Sequence, residues 1–246
     1  MTSKERCKHY RRRILDLSQQ VSALHIGGAF SAMEIVDVIY NELMLPDDTF
    51  IMSKGHGWLA QAVILEERGL LDLSTYCTPN GMGVHPDLGI PGITCATGSL
   101  GHGLGMACGI ALANRSHNVY IVLSDGECMA GSTWEAVLLA SSLDLDNIIA
   151  VVDNNDLQSL GRTSEIHKSL YPLDEKFRSF GWGVLEVDGH DSLALKGAIE
   201  PDKDNPSMTI ARTKKGYPIS FMLDQPIWHY RSPTKEEYQQ ALKELE

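Results

Sequence analysis

Nowhere in its 246 residues does this sequence hold an uninterrupted apolar run near the roughly 20 residues that a membrane-spanning helix requires. The start, Met1 to Arg13, is polar and lacks the apolar centre of a secretory signal, so export is not expected. Cysteine is scarce and unpatterned: Cys7, Cys77, Cys95, Cys108 and Cys128 are odd in number and form no C-x-x-C pair. Reduced thiols in a cytoplasmic protein are the simplest expectation. Positive charge is also short, with 21 Lys and Arg against 32 Asp and Glu and a net charge of −11. Such a balance argues against nucleic acid or an anionic membrane surface as partner, since both need a basic footprint. An anionic ligand must then be held locally, by a metal ion, backbone N–H groups and a few His or Lys. No internal repeat, low-complexity tract or long linker divides the chain. With 43% hydrophobic residues it can bury one large core, so a single domain over residues 1–246 is expected.

Hydrophobic periodicity supplies the elements. Lys4 to Val21 and Ser31 to Leu43 read as helices, with Ser31 as N-cap before Glu34. Phe50 to Ser53 reads as a short strand, Trp58 to Arg68 as a helix, and the Gly- and Pro-rich segment Tyr76 to Thr97 as a long loop. Gly98 to Asn114 opens on glycines and continues as a small-residue helix. Val119 to Leu123 and Ile148 to Val152 are continuous apolar runs, the mark of parallel strands covered on both faces, with helix Ser132 to Ser142 between them. Leu170 to Phe180, Gly183 to Val187, Ser192 to Ile199 and Ser207 to Arg212 then alternate helix and strand, and Pro233 to Glu246 reads as a closing helix. The alternation predicts an α/β fold: three layers, a doubly wound and mostly parallel sheet, helices on both faces.

Asp125-Gly126-Glu127 and Asn155 stand 30 residues apart across one strand–helix–strand unit. Both therefore fall at the carboxyl ends of neighbouring strands, where open α/β sheets bind ligands. A carboxylate and a carboxamide, completed by water and phosphate oxygens, suit Mg²⁺. Each residue alone is ordinary, Asp as a helix N-cap and Asn-Asn as turn chemistry; their combination points to a diphosphate–magnesium site. Four histidines, His25, His56, His85 and His102, lie in Gly- or Pro-flanked loops, and His229 follows Trp228. Together they suggest donors clustered near an anionic substrate. The glycine run Thr97 to Gly105 does not follow a strand as a dinucleotide fingerprint should, and close packing of a helix start explains it as well. A zinc site from Cys77, His85 and Cys95 matches no common spacing.

Several motifs together resemble those of thiamine-diphosphate enzymes, and of transketolase in particular. Ser124-Asp125-Gly126-Glu127 through Asn155 is similar to the thiamine-diphosphate motif. Ser53-Lys54-Gly55-His56-Gly57, Thr97 to Gly103, Phe180-Gly181-Trp182 and Asp188-Gly189-His190-Asp191 resemble, in order and spacing, the diphosphate-binding half of transketolase, from about His25 to His229. The resemblance implies thiamine diphosphate and Mg²⁺ (or Ca²⁺ or Mn²⁺ in its place) as cofactors. It implies Asp125, Asn155 and the Leu157 carbonyl as metal ligands, and Gly126, Glu127, His56 and Lys215 beside the diphosphate. Gly98, Ser99 and Leu100 would line the thiamine, and His25, His85 and His229 would face substrate, His229 touching the cofactor too. The implied reaction moves a two-carbon ketol unit from a ketose to an aldose. The family's pyrimidine domain is missing, so a separate C-terminal subunit in an α₂β₂ heterotetramer is the expected partner.

Three positions depart from the family: Ala130-Gly131 stands where a Glu-Gly pair is usual, Pro218 replaces a glycine near Lys215, and Tyr230 follows His229 where glycine is common. The glutamate is tied to communication between paired sites, and the other two border the substrate entrance, so the sugar need not be an ordinary pentose phosphate. Two other readings remain open at this level. One is a subunit of a decarboxylating carboligase that uses a 2-oxo acid donor, akin to deoxyxylulose-phosphate synthase; the other is a non-catalytic, cofactor-binding scaffold.

Overall fold

Every side chain of Val119 to Leu123 and of Ile148 to Val152 is buried, because these strands lie at the middle of a sheet covered on both faces. The computed structural model describes residues 1–21, 23–78, 81–159 and 161–246. In chain order the strands are β1 (Thr49–Met52), β2 (Val119–Ser124), β3 (Ile148–Asn154), β4 (Leu157–Gln158), β5 (Gly161–Arg162), β6 (Gly183–Asp188) and β7 (Ser207–Arg212). Five of them form one parallel sheet in the order β1-β2-β3-β7-β6, and β4 pairs with β5 as a small antiparallel hairpin. The helices are α1 (Ser3–Ser18), α2 (Ile26–Ser31), α3 (Met33–Val38), α4 (Leu59–Glu67), α5 (Gly103–Ala113), α6 (Gly131–Ser142), α7 (Thr163–Ile166), α8 (Leu173–Ser179), α9 (Ser192–Ala198) and α10 (Lys235–Glu244).

Alternate residues of each strand feed two separate cores. Phe50, Met52, Tyr120, Val122, Ile149 and Val151 pack under α1, α2, α3, α4, α9 and α10. Ile51, Ile121, Leu123, Ala150, Val152 and Ile210 face α5, α6 and α8. Each fully buried Ile or Val here stabilises the fold by roughly 1.5–3 kcal/mol. The outcome is the expected three-layer, doubly wound α/β fold. Among the described residues no helix is long and apolar enough to cross a membrane.

Local boundaries differ from expectation where a specific contact overrides pattern. Ser31 caps nothing: it closes α2, and its buried hydroxyl donates to Asp153 Oδ2 (2.6 Å). A long-range polar partner has displaced the local cap. The glycine run before α5 is loop rather than helix, since Gly98 (φ +130°) and Gly101 (φ +90°) take left-handed backbone. Pro172 holds Tyr171 extended, so the helix expected from Leu170 begins at Leu173. The described part of the loop Tyr76 to Thr97 has neither helix nor strand; its Pro79 and Asn80 lie outside the described residues.

Candidate functional site

Four strand ends converge on one point. Ser124 of β2 lies opposite Asp153 of β3, so the residues just beyond, Asp125 and Asn155, emerge side by side at the carboxyl edge. β1, paired with β2, delivers Ser53, Lys54 and His56, while β7, paired with β3, delivers Thr213 and Lys215. His25 precedes α2, and His229 ends a short turn at Pro226–His229. Around this point lies a cavity of about 270 Å³. Asp125, Gly126, Asn155, Leu157, Gly98 and Leu100 form one part of its wall, and His25, His56, His85 and His229 the other.

The four imidazoles form a continuous cluster. His25 lies 5.8 Å from His56, 5.4 Å from His85 and 5.3 Å from His229 between ring centroids, and His56 lies 5.4 Å from His229. Burial pulls His25 down to about 4, helped by His229, His85 and Lys215. His229 falls to about 4, again mainly by burial, with Lys215 and Lys54 adding. Burial holds His56 well below its ordinary value, and lowers His85. Neutral rings each carry one N–H donor and one acceptor nitrogen. His25 keeps Nδ1 buried with no partner among the described residues, so it has hydrogen-bonding capacity in reserve.

The opposite wall fits a cation–diphosphate pair. Asp125 is 1% exposed, and accepts from the Gly126 N–H (2.8 Å) and the Tyr171 hydroxyl (3.1 Å), with no ion pair among the described residues. Burial, then the charge of Asp153, pushes its carboxyl up to about 6, a penalty that a cation would offset. Among the described residues Asn155 Oδ1 accepts only the Leu157 N–H (3.0 Å), and the Leu157 carbonyl takes the buried Lys215 ammonium (2.8 Å). Burial, then Lys54, lowers Lys215 to about 8. Among the described residues a Cβ added to Gly126 would meet only Gln158 Cβ at 3.7 Å, so its backbone is open to the approach of an anion. One carboxylate, a carboxamide and a carbonyl make an oxygen set suited to Mg²⁺ with water and phosphate oxygens.

Most residues singled out from sequence meet here, but not all. Glu127 is fully buried beneath the wall, where it accepts from the Gly101 N–H (2.8 Å) and the Ser53 hydroxyl. It braces the loop instead of facing the cavity. Ser99 is exposed and outside the cavity wall, and Lys215 reaches the site from behind through its ammonium. His102 is exposed at the start of α5, away from the imidazole cluster. Sequence reading missed Tyr171, which reaches Asp125 across 46 positions, and the buried Lys54–Asp153 pair. Nothing local in the sequence announces such contacts. His190 of the Asp-Gly-His-Asp run accepts from the Lys214 N–H (2.9 Å) and meets Glu34 (3.2 Å), beside a larger cleft of about 1230 Å³. That cleft holds none of the strand-end ligands, so size alone does not mark the site.

Comparison with known proteins gives the family. The family described as "Transketolase, thiamine diphosphate binding domain" matches residues 2–244. An apulose-4-phosphate transketolase subunit from Actinobacillus succinogenes is 36% identical over 98% of this chain and 95% of its own length. The 6-deoxy-6-sulfo-D-fructose transketolase subunit SqwG of Clostridium sp. is 35% identical over 90% of this chain and 88% of its own. Leishmania mexicana transketolase superposes with a TM-score of 0.92 at 25% identity; it covers the whole of this chain, which spans 41% of the Leishmania protein. The chain therefore belongs to the transketolase family, as a transferase subunit made of that family's thiamine diphosphate-binding part.

Proposed function

We propose that this chain is the cofactor-anchoring subunit of a two-subunit transketolase. It acts with Mg²⁺, or Ca²⁺ or Mn²⁺ in its place, to move a two-carbon ketol unit from a phosphorylated or otherwise modified ketose to an aldose. One observation carries this reading: Asp125, Gly126, Asn155 and the Leu157 carbonyl share a single cavity with His25, His56, His85 and His229. Thiamine diphosphate, when bound, supplies the nucleophilic carbon and the electron sink. The chain's own residues bind, orient and move protons. Asp125, Asn155 and the Leu157 carbonyl would hold the cation; Gly126 and His56 would meet the diphosphate, with the Lys215 ammonium behind them on the Leu157 carbonyl; Gly98 and Leu100 would flank the thiamine, with Ser99 between them outside the wall. His25, His85 and His229, neutral at pH 7, offer N–H groups to sugar oxygens and acceptor nitrogens for their protons.

The pyrimidine-binding half comes from a separate C-terminal subunit, in an α₂β₂ assembly that works in the cytoplasm. Support comes from relatives named as transketolase subunits, 34% and 36% identical over 96% and 98% of this chain. The test is reconstitution with the product of a neighbouring reading frame encoding a pyrimidine domain. Ketol transfer should need both chains, thiamine diphosphate and Mg²⁺. Robust transfer by this chain alone would overturn the partner requirement, and carbon dioxide release from a 2-oxo acid would replace ketol transfer with carboligation.

A further inference from the structure

Asn155 can present either end of its carboxamide to a cation, and only the oxygen is a ligand. At the outer end the oxygen accepts the Leu157 N–H (3.0 Å), and what surrounds the inner end decides whether the amide can stay turned that way. Its Nδ2 lies 3.3 Å from Ser31 Oγ and 3.4 Å from Asp153 Oδ2. The Asp153 carboxylate is fully buried and receives donors from every side: the Lys54 ammonium and the Ser31 hydroxyl on Oδ2, and the Thr213 hydroxyl on Oδ1. Ser31 has spent its one proton on Asp153 (2.6 Å), so towards Asn155 it offers only lone pairs. Lys54, also fully buried, is held in place by the Gly28 carbonyl (3.0 Å). Both groups facing the inner end of Asn155 are therefore acceptors. An amide oxygen turned inward would meet two acceptors without a proton between them.

From this we infer that the buried Lys54–Asp153 pair, with Ser31, is a positioning device that fixes the Asn155 carboxamide with its oxygen toward the cation. It rests on the cofactor site described above, and gives Lys54, Asp153 and Ser31 a role in metal binding that none of them plays by contact. Asp153→Asn supplies a competing NH₂ beside Asn155 and removes the inner restraint, leaving the Leu157 N–H alone to hold the oxygen outward. Lys54→Met with Asp153→Leu replaces the pair by apolar groups of similar size, which a buried ion pair often tolerates. It removes one of the two acceptors that hold the amide. Thr213→Val touches only Oδ1, the oxygen away from Asn155, and serves as the control.

The measurement is Mn²⁺ affinity in the presence of thiamine diphosphate, read from the electron paramagnetic resonance of free Mn²⁺ on the reconstituted complex, beside thermal unfolding. Asp153→Asn and the double variant should weaken Mn²⁺ by roughly 10–100-fold, the range typical for loss of a group that orients a ligand, and Thr213→Val by less than about threefold. If either of the first two folds and binds Mn²⁺ like the wild type, the inference is overturned; if Thr213→Val weakens binding as much as they do, the effect is general loosening and the inference fails too. Should the wild-type complex itself take up no Mn²⁺, the cofactor reading falls and this inference with it.

Discussion

His85 shows how a single residue acquires a role. Its loop bears no regular structure, yet its ring packs 5.4 Å from His25 and against Gly98, where a Cβ would lie 2.8 Å from His85 Cδ2. The loop is thus seated on the glycine strip that borders the cavity. Replacing His85 by alanine in the reconstituted complex should lower kcat by about 10²-fold or more, as loss of a proton-moving group does. Thiamine diphosphate affinity, followed by calorimetry, should stay within about threefold; unchanged turnover would favour a scaffold. Gly126 makes the converse case. Its side-chain position is open, so Gly126→Ala should keep folding stability within about 0.5 kcal/mol, by urea denaturation, while weakening cofactor binding. At this scale sequence was a good guide to residue types but not to direction. His25, His56, His85 and His229 were legible as loop histidines, and His102, alike in sequence, points away. Glu127, next to the metal motif, lies beneath the wall because its carboxylate has found the Gly101 N–H and Ser53.

Elements were easier to read than their ends. The continuous apolar runs of β2 and β3 announced a covered parallel sheet, and burial on both faces has that effect wherever the strands sit. Boundaries yielded to contacts that no window of sequence contains, as when Ser31 turned to Asp153 instead of capping a helix. The turn before α5 has its own physics. Gly101 has φ +90°, and a Cβ there would sit 2.5 Å from Ala130 Cβ at the start of α6. Gly101→Ala should therefore cost about 1–3 kcal/mol of unfolding free energy, by urea denaturation, from strain and overpacking combined. A cost below about 0.5 kcal/mol would show that the turn relaxes freely.

Across the whole molecule, a buried polar link ties the first helix to the far end of the sheet. Arg11 of α1 makes paired hydrogen bonds to Glu34 of α3 (both 2.6 Å), and Glu34 meets His190 beyond β6 (3.2 Å). Burial pushes the Glu34 carboxyl up, but the Arg11 guanidinium and His190 outweigh it and bring it down to about 2, below the ordinary 4.5. A carboxyl lowered by folding adds stability above its unfolded value, and loses it as pH falls through the folded one. The stability gap between wild type and Glu34→Gln should thus shrink by about 3 kcal/mol from pH 5 to pH 2, measured by urea titration. A gap constant over that window would remove the electrostatic account.

By itself the sequence determined the layers, the strand and helix order, and the Asp125 to Asn155 spacing, because burial on two faces and the length of one crossover are local properties of the chain. Only the tertiary structure decided that His25, His56, His85 and His229 surround one cavity, that Tyr171 reaches Asp125, and that Lys54 and Asp153 lie behind Asn155. Apart from the Asp153–Asn155 neighbours, those contacts join residues from about 30 to more than 200 positions apart, and are set by strand register and packing across the sheet, which no local pattern encodes.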